Sequence, residues 1–304
     1  MLIIHKEKEI QGHAAAVYTV DFFRSKVYTG SGDKYVTRWD IHSGDQDKFA
    51  IKLETSVYKI KIISPKEQLI IGTSVGDFHV VDLVANREIH FFKQHKSAIF
   101  EIAFLNKKKL VFITDAEGNV SVWSIDDWKL VIYLPFDCGK IRSIVFSKDN
   151  EKAYLACQDG KIRILSTTTF NLIDSFDAHL MGCNVLLFHP TKEQVLFSAG
   201  KDGYLRCWDL LNNKQVIAIP AHNFGIYGLH LLNNNSNLIT ISRDKSIKSW
   251  DINTLNPLSK IERKQGGHSH AVNSIIGIDD FHFVTVGDDK RILFWSLVSQ
   301  LSLN

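Results

Sequence analysis

A histidine, a hydroxyl residue and an aspartate recur together four times along this 304-residue chain. The sets are His13, Thr29 and Asp33; His179, Ser198 and Asp202; His222, Thr240 and Asp244; and His268, Thr285 and Asp289. These residue types can do hydrolytic chemistry, with the hydroxyl as nucleophile, the imidazole as general base and the carboxylate orienting the imidazole. The spacing argues against it. In each set the hydroxyl lies four residues before the aspartate, and a tryptophan follows the aspartate by six, at Trp39, Trp208, Trp250 and Trp295. Tryptophan takes no part in proton transfer, and one active site needs one triad. Four copies with an indole as a regular member suit a structural brace.

The elements that carry these residues repeat with them. The column that begins at Trp39 continues through Val81, Trp123, Leu165, Trp208, Trp250 and Trp295, in steps of 42, 42, 42, 43, 42 and 45 residues. A period of that length belongs to four-stranded propeller blades. Every unit opens on an apolar strand: VYTVDF, VYKIKI, IFEIAF, IRSIVF, CNVLLF, IYGLHL and VNSIIG. Apolar residues recur at the first, fourth and sixth places, where a regular strand would repeat every second residue. The extra residue predicts a β-bulge near the second place. A short turn, a second strand such as LFSAG, a tight Asp/Gly turn, a third strand ending at the tryptophan column and a weaker fourth strand complete the unit. The last unit stops after its third strand, RILFWSL, and the N-terminal segment 2–10 is expected to supply the fourth. Such closure removes open sheet edges. The expected fold is all-β: a seven-bladed β-propeller with four antiparallel strands per blade, forming a single domain over residues 1–304.

The Gly12–His13 pair, with Trp-Asp at Trp39–Asp40, Trp208–Asp209 and Trp250–Asp251, resembles the WD-repeat β-propeller family, and the resemblance runs over essentially the whole chain. It implies that each His, Ser/Thr, Asp and Trp set is a buried, hydrogen-bonded tetrad tying the loop before the first strand to the third strand. Units two to four depart from the pattern. Unit two has Val75 and Val81 in the Asp and Trp columns; unit three keeps His95 and Trp123 but has Ile113 and Glu117; unit four keeps Asp159 but has Leu155 and Leu165. Two readings stand: drift toward apolar packing, or an arc freed for softness or binding.

The resemblance further implies a non-enzymatic scaffold whose partners bind the face carrying the loop before strand one and the turn before strand three. The bulge column there reads Tyr18, Tyr58, Phe100, Arg142, Asn184, Tyr227 and Asn273; Lys140 lies two residues before Arg142, and Lys201 and Arg243 stand just before the aspartate column. Aromatics and arginine make interaction hot spots. The occupant expected is a protein or peptide segment with an aromatic or aliphatic anchor beside acidic residues. The plainer alternative is that the rings cover one another above a central channel.

Composition narrows the rest. The chain is 45% apolar and 23% charged with a net charge of +3, a foldable balance too mild to argue for nucleic acid or an anionic membrane. The start MLIIHKEKEIQGH lacks a signal-peptide core, and no apolar run is long enough to span a membrane. Cys138, Cys157, Cys183 and Cys207 form no CxxC pair and no metal-ligand spacing. They read as buried thiols in a reducing, cytoplasmic setting. No metal and no cofactor are expected. The alternative functions are a ligand-binding or enzymatic propeller using its channel, or a reader associated with chromatin or nucleic acid.

Overall fold

A computed structural model describes residues 2–212 and 214–299. Its strands form seven four-stranded antiparallel sheets. Six of these take four consecutive strands, and the seventh joins the last three strands of the chain to the first. The fold is a seven-bladed β-propeller. The opening strand, Leu2–Gln11, is one residue longer than expected and pairs with Arg291–Ser299, from Leu2 opposite Ser299 to Gln11 opposite Arg291. Among the described residues the helical elements are three single 3-10 turns, Ser64–Lys66, Asn106–Lys108 and Arg263–Gln265. No helix there is long and apolar enough to cross a membrane.

The described residues fall into two compact units, one built from the segments ending at Ile62 and beginning at His222, the other from Ile63–Ala221. In both, burial follows strand position. Second strands such as Lys26–Ser31 and Leu110–Asp115 are buried at every position after the first, because neighbouring sheets cover both of their faces. Outer strands such as Leu130–Pro135 alternate between exposed and half-buried. In the first unit, Val17, Val20, Val27 and Trp39 pack with Val284, Val286, Ile292 and Phe294 of the last blade. In the second, Ile70, Phe78 and Val80 pack with Ile99, Val111, Ile113 and Trp123 of the following blade. Each fully buried side chain of this size contributes about 1.5–3 kcal/mol.

The bulge appears where the residue spacing requires it. In six blades the pairing of strand one skips a residue: between Val17 and Thr19, Ile99 and Glu101, Ile141 and Ser143, Cys183 and Val185, Ile226 and Gly228, and Val272 and Ser274. The skipped residues are Tyr18, Phe100, Arg142, Asn184, Tyr227 and Asn273, each released from the ladder and re-aimed.

One close approach inside the first unit has a measurable consequence. Gly277 ends the strand Val272–Gly277, and a Cβ there would lie 2.2 Å from Nε2 of His230. The missing side chain makes room for the imidazole, whose desolvation lowers its pKa from 6.5 to about 4. The folded state therefore disfavours protonation, and the stability His230 contributes is full above pH 6.5 and lost as the pH falls through about 4. NMR titration of His230 should give a midpoint near 4. Gly277→Ala should lower stability by about 1–3 kcal/mol through overpacking, read by urea denaturation.

Candidate functional site

The four His, hydroxyl, Asp and Trp sets each form a directed hydrogen-bonded chain. In blade one, Trp39 Nε1 donates to Thr29 Oγ1 at 2.8 Å, His13 Nε2 lies 2.8 Å from the same oxygen, and His13 Nδ1 lies 2.8 Å from Asp33 Oδ2. The indole N–H can only donate, so the threonine proton is free to point at Nε2. That places the imidazole proton on Nδ1, facing the carboxylate. Asp33 also accepts the backbone N–H of Ala14 at 2.8 Å, which fastens the loop before strand one. The same chain runs through His179, Ser198, Asp202 and Trp208, through His222, Thr240, Asp244 and Trp250, and through His268, Thr285, Asp289 and Trp295. Burial lowers the pKa of His13, His179 and His222 despite the adjacent carboxylates. Burial would raise Asp33, Asp202, Asp244 and Asp289, but their histidine partners and local N–H donors outweigh it and hold them below the usual carboxylate range, Asp202 at about 2. Thr29, Ser198, Thr240 and Thr285 are 0% exposed, so no substrate reaches these hydroxyls.

Unit three corrects the reading of its columns. Its brace is complete but built from shifted positions. His95 Nδ1 lies 2.9 Å from Asp115 Oδ2, His95 Nε2 lies 2.7 Å from Ser121 Oγ, and Trp123 Nε1 donates to Ser121 Oγ at 2.9 Å. Ser121 sits on strand three directly opposite Ile113, the residue in the hydroxyl column, so a neighbouring strand supplies the same point in space. Asp115 replaces exposed Glu117 and takes a further bond from Asn119. Blade one shows the precedent, since Thr37, at the position of Ser121, lies 3.0 Å from His13 Nε2. In blade four Asp159 instead binds Arg163 through both oxygens, at 3.0 and 2.7 Å, while Leu155 and Leu165 are fully buried. In blade two Val81 is buried and Val75 is 45% exposed.

The loop-face residues sort differently in the two units. In the first, Tyr18 and Tyr58 are half-buried and meet edge to face, with ring centroids 5.0 Å apart. Burial, Tyr58 and Asp288 raise the pKa of Tyr18. Tyr227 is half-buried and Arg243 exposed. The amide of Asn273 donates to the Val17 carbonyl at 2.9 Å and to Asp288 Oδ1 at 2.8 Å, so it holds its own unit together. In the second unit, Phe100 lies under two cations. Lys140 Nζ is 4.9 Å and the Arg142 guanidinium carbon 4.4 Å from its ring centroid. Burial, Arg142 and Lys201 together lower the pKa of Lys140. Phe100 therefore belongs with the basic residues rather than with the tyrosines. Asn184 is corrected as a contact residue: it is only 3% exposed, and a partner cannot reach it.

One feature of this face escaped the column reading. Leu180 and Met181, directly after the tetrad residue His179, are 93% and 65% exposed. The signal was present in HLMG, two large apolar residues in a loop that reads HAAA in blade one and HKSA in blade three. Lys201 is joined to this loop, its N–H donating to the Gly182 carbonyl at 2.9 Å. Among the described residues, no group of three or more His, Cys, Asp or Glu side chains is placed to hold a metal ion.

Comparison with known proteins adds two findings. The family model for the WD domain, G-beta repeat, matches residues 170–209 and 213–251. The chain is also similar to curated proteins. It is 22% identical over 252 residues to cilia- and flagella-associated protein 52 of Homo sapiens, covering 81% of this chain and 40% of the relative. It is 22% identical over 285 residues to WD repeat-containing protein 55 of Rattus norvegicus, covering 91% of this chain and 73% of the relative. The chain thus spans well under half the length of the first of these relatives.

The rebuilt brace of blade three can be tested by a paired substitution. Ser121→Ala leaves both His95 Nε2 and Trp123 Nε1 unsatisfied in the core, and should cost about 2–6 kcal/mol at roughly 1–3 per orphaned group. Glu117→Ala, in the aspartate column, should change stability by no more than about 0.5 kcal/mol. Urea denaturation of the two variants checks both numbers.

Proposed function

Because the chain belongs to the WD-repeat family of β-propellers, we propose that it is a protein-interaction scaffold holding a partner protein or peptide on the face of its blades that carries the loops before strand one. The observation that carries this reading is the arrangement around Phe100, where an aromatic ring is half-buried beneath Lys140 and Arg142. Aromatic and arginine side chains set together at a surface are the groups that dominate interface energetics. The Tyr18 and Tyr58 pair offers a second aromatic contact in its own unit. The tetrads serve this role indirectly. In the braced blades they pin the loops beside Tyr18, Phe100, Leu180, Met181 and Tyr227, so a partner meets a surface there that is already ordered, and ordering costs less on binding.

In the first unit the contact residues are Tyr18, Tyr58, Tyr227 and Arg243; in the second they are Phe100, Lys140, Arg142 and Lys201, with Leu180 and Met181 added by their exposure. The partner is a protein or peptide segment bearing an apolar anchor beside acidic groups. The four cysteines are free, buried thiols, which suits work in a reducing, cytoplasmic compartment.

Affinity capture from native lysate, followed by mass spectrometry, tests the reading. Tyr18→Ala/Tyr58→Ala and Phe100→Ala variants are compared with wild type after their melting temperatures are matched. A partner retained by wild type should be weakened in at least one variant by about 30-fold, the effect of losing a hot-spot anchor of about 2 kcal/mol. Identical capture by all three proteins would mean that these rings only pack against their neighbours.

A further inference from the structure

Blade four, inside the second unit, lacks the polar brace, and two thiols stand where that brace would be. Its tryptophan and hydroxyl columns hold Leu165 and Leu155, and Asp137 takes the histidine column. Cys157 ends strand two and pairs with Ile141, as Ser31 pairs with Val17 and Ser242 with Ile226. In those two blades the hydroxyl of this position reaches the loop before strand one. Ser31 Oγ donates to the Ala16 carbonyl at 2.9 Å and lies 3.3 Å from that of Ala15. Ser242 Oγ does the same to Gly225 at 3.0 Å and Phe224 at 3.1 Å. The counterpart of Ala15 and Phe224 in blade four is Gly139, and Cys138 Sγ lies 3.5 Å from its carbonyl oxygen. The register therefore turns Cys157 toward the place where the Cys138 sulfur sits. The two thiols hydrogen-bond to one another there, and Cys157 Sγ also lies 3.6 Å from the Leu155 carbonyl oxygen.

The loop is docked on this strand end, with the Asp159 N–H donating to the Cys138 carbonyl at 3.2 Å. Asp159 also holds the Arg163 guanidinium at 3.0 and 2.7 Å, which brings a cation beside the thiols. The bond from Cys157 outweighs burial and holds the Cys138 thiol below its ordinary range, with Arg163 adding to the effect. Cys138 is thus the better nucleophile of the pair. Both sulfurs are buried, but Cys138 adjoins exposed Asp137 in a loop without a tetrad histidine. Opening that loop alone, rather than the blade, admits a molecule as small as a peroxide.

We propose that Cys138 and Cys157 are a peroxide-oxidised thiol pair, whose disulfide supplies covalently the loop brace that blade four lacks. The site stands apart from the partner-binding reading above. The Cys138 thiolate attacks one peroxide oxygen and the O–O bond breaks. This leaves a sulfenic acid on Cys138, and the hydroxide released takes back the proton that Cys138 had lost and departs as water. The Cys157 sulfur then attacks the sulfenic sulfur. The S–S bond forms, the S–O bond breaks, and the hydroxyl leaves with the Cys157 proton as a second water. The pair of thiols is oxidised and the peroxide reduced. In a reducing compartment the thiols stay free until peroxide rises.

The test treats the full, reduced chain with hydrogen peroxide and blocks the remaining thiols with N-ethylmaleimide in urea. The digest is then mapped by mass spectrometry without reduction. The expected result is a peptide linked through Cys138 and Cys157 that dithiothreitol removes, with Cys183 and Cys207 still alkylated. The oxidised chain should melt about 5 °C above the reduced one, and dithiothreitol should reverse the gain. In Cys157→Ser, dimedone should trap a sulfenic acid at Cys138, whereas in Cys138→Ser the Cys157 thiol should stay unmodified. The wild-type digest decides even where a variant fails to fold. Four free thiols after peroxide treatment would overturn the proposal. So would linkages scattered among all four cysteines, or linkage that forms as readily in urea as in the folded chain. A linked chain that melts no higher than the reduced chain would overturn the brace.

Discussion

A buried indole N–H has one thing it can do, which is to donate, and much of this propeller's polar interior is arranged around that fact. The tryptophan at the end of strand three needs an acceptor, and a hydroxyl oxygen supplies it. The hydroxyl proton then needs an acceptor of its own, which selects a histidine nitrogen. The remaining imidazole N–H needs a carboxylate, and the carboxylate takes the backbone N–H groups of the adjacent loop and turn. Each step follows from the donor and acceptor inventory of the residue before it. A partly satisfied chain would be worse than none, because low dielectric makes an unpaired polar group costly.

That cost explains how the blades differ. Where the indole is absent, the hydroxyl and the histidine are absent with it. Blade two replaces the tryptophan, hydroxyl, aspartate and histidine positions with Val81, Ile71, Val75 and Leu53, an entirely apolar set. Blade four loses its indole to Leu165 and its hydroxyl to Leu155, and the aspartate it retains turns to Arg163. Where the indole stays, as in blade three, the chain stays as well, even though its hydroxyl and carboxylate come from other positions. The invariant is the satisfied donor, and the column is only the usual way to reach it.

The brace also connects stability to the surface that carries function. The same loops that supply the tetrad histidines bear Leu180, Met181 and Phe224 on the solvent side. Pinning the histidine fixes where those side chains emerge. The bulge does the complementary work for strand one, lifting Tyr18, Phe100 and Arg142 out of the ladder toward the same end of their sheets. The chemistry of the face then divides by unit: tyrosines with an acidic neighbour in one, cations over a phenylalanine in the other.

The repeat, the strand order within each blade, the bulge and the recurrence of the four His, hydroxyl, Asp and Trp sets were all legible in the chain alone, because each depends on contacts whose spacing repeats with the blade; that the sets are hydrogen-bonded tetrads came from the family resemblance. A period near 42 residues and a three-then-two apolar rhythm are one-dimensional records of those contacts. What the sequence could not decide depends on distances between residues that no local period links. Ser121 replaces a threonine only because strand pairing sets it opposite Ile113. Phe100 joins the basic residues, and Asn184 leaves the surface, because side-chain direction at a bulge is decided by the neighbouring sheet. Leu180 and Met181 are exposed because the loop turns outward after His179, a matter of backbone path rather than composition. Local patterning determined the blades and their braces; packing between blades decided which of the marked residues a partner can touch.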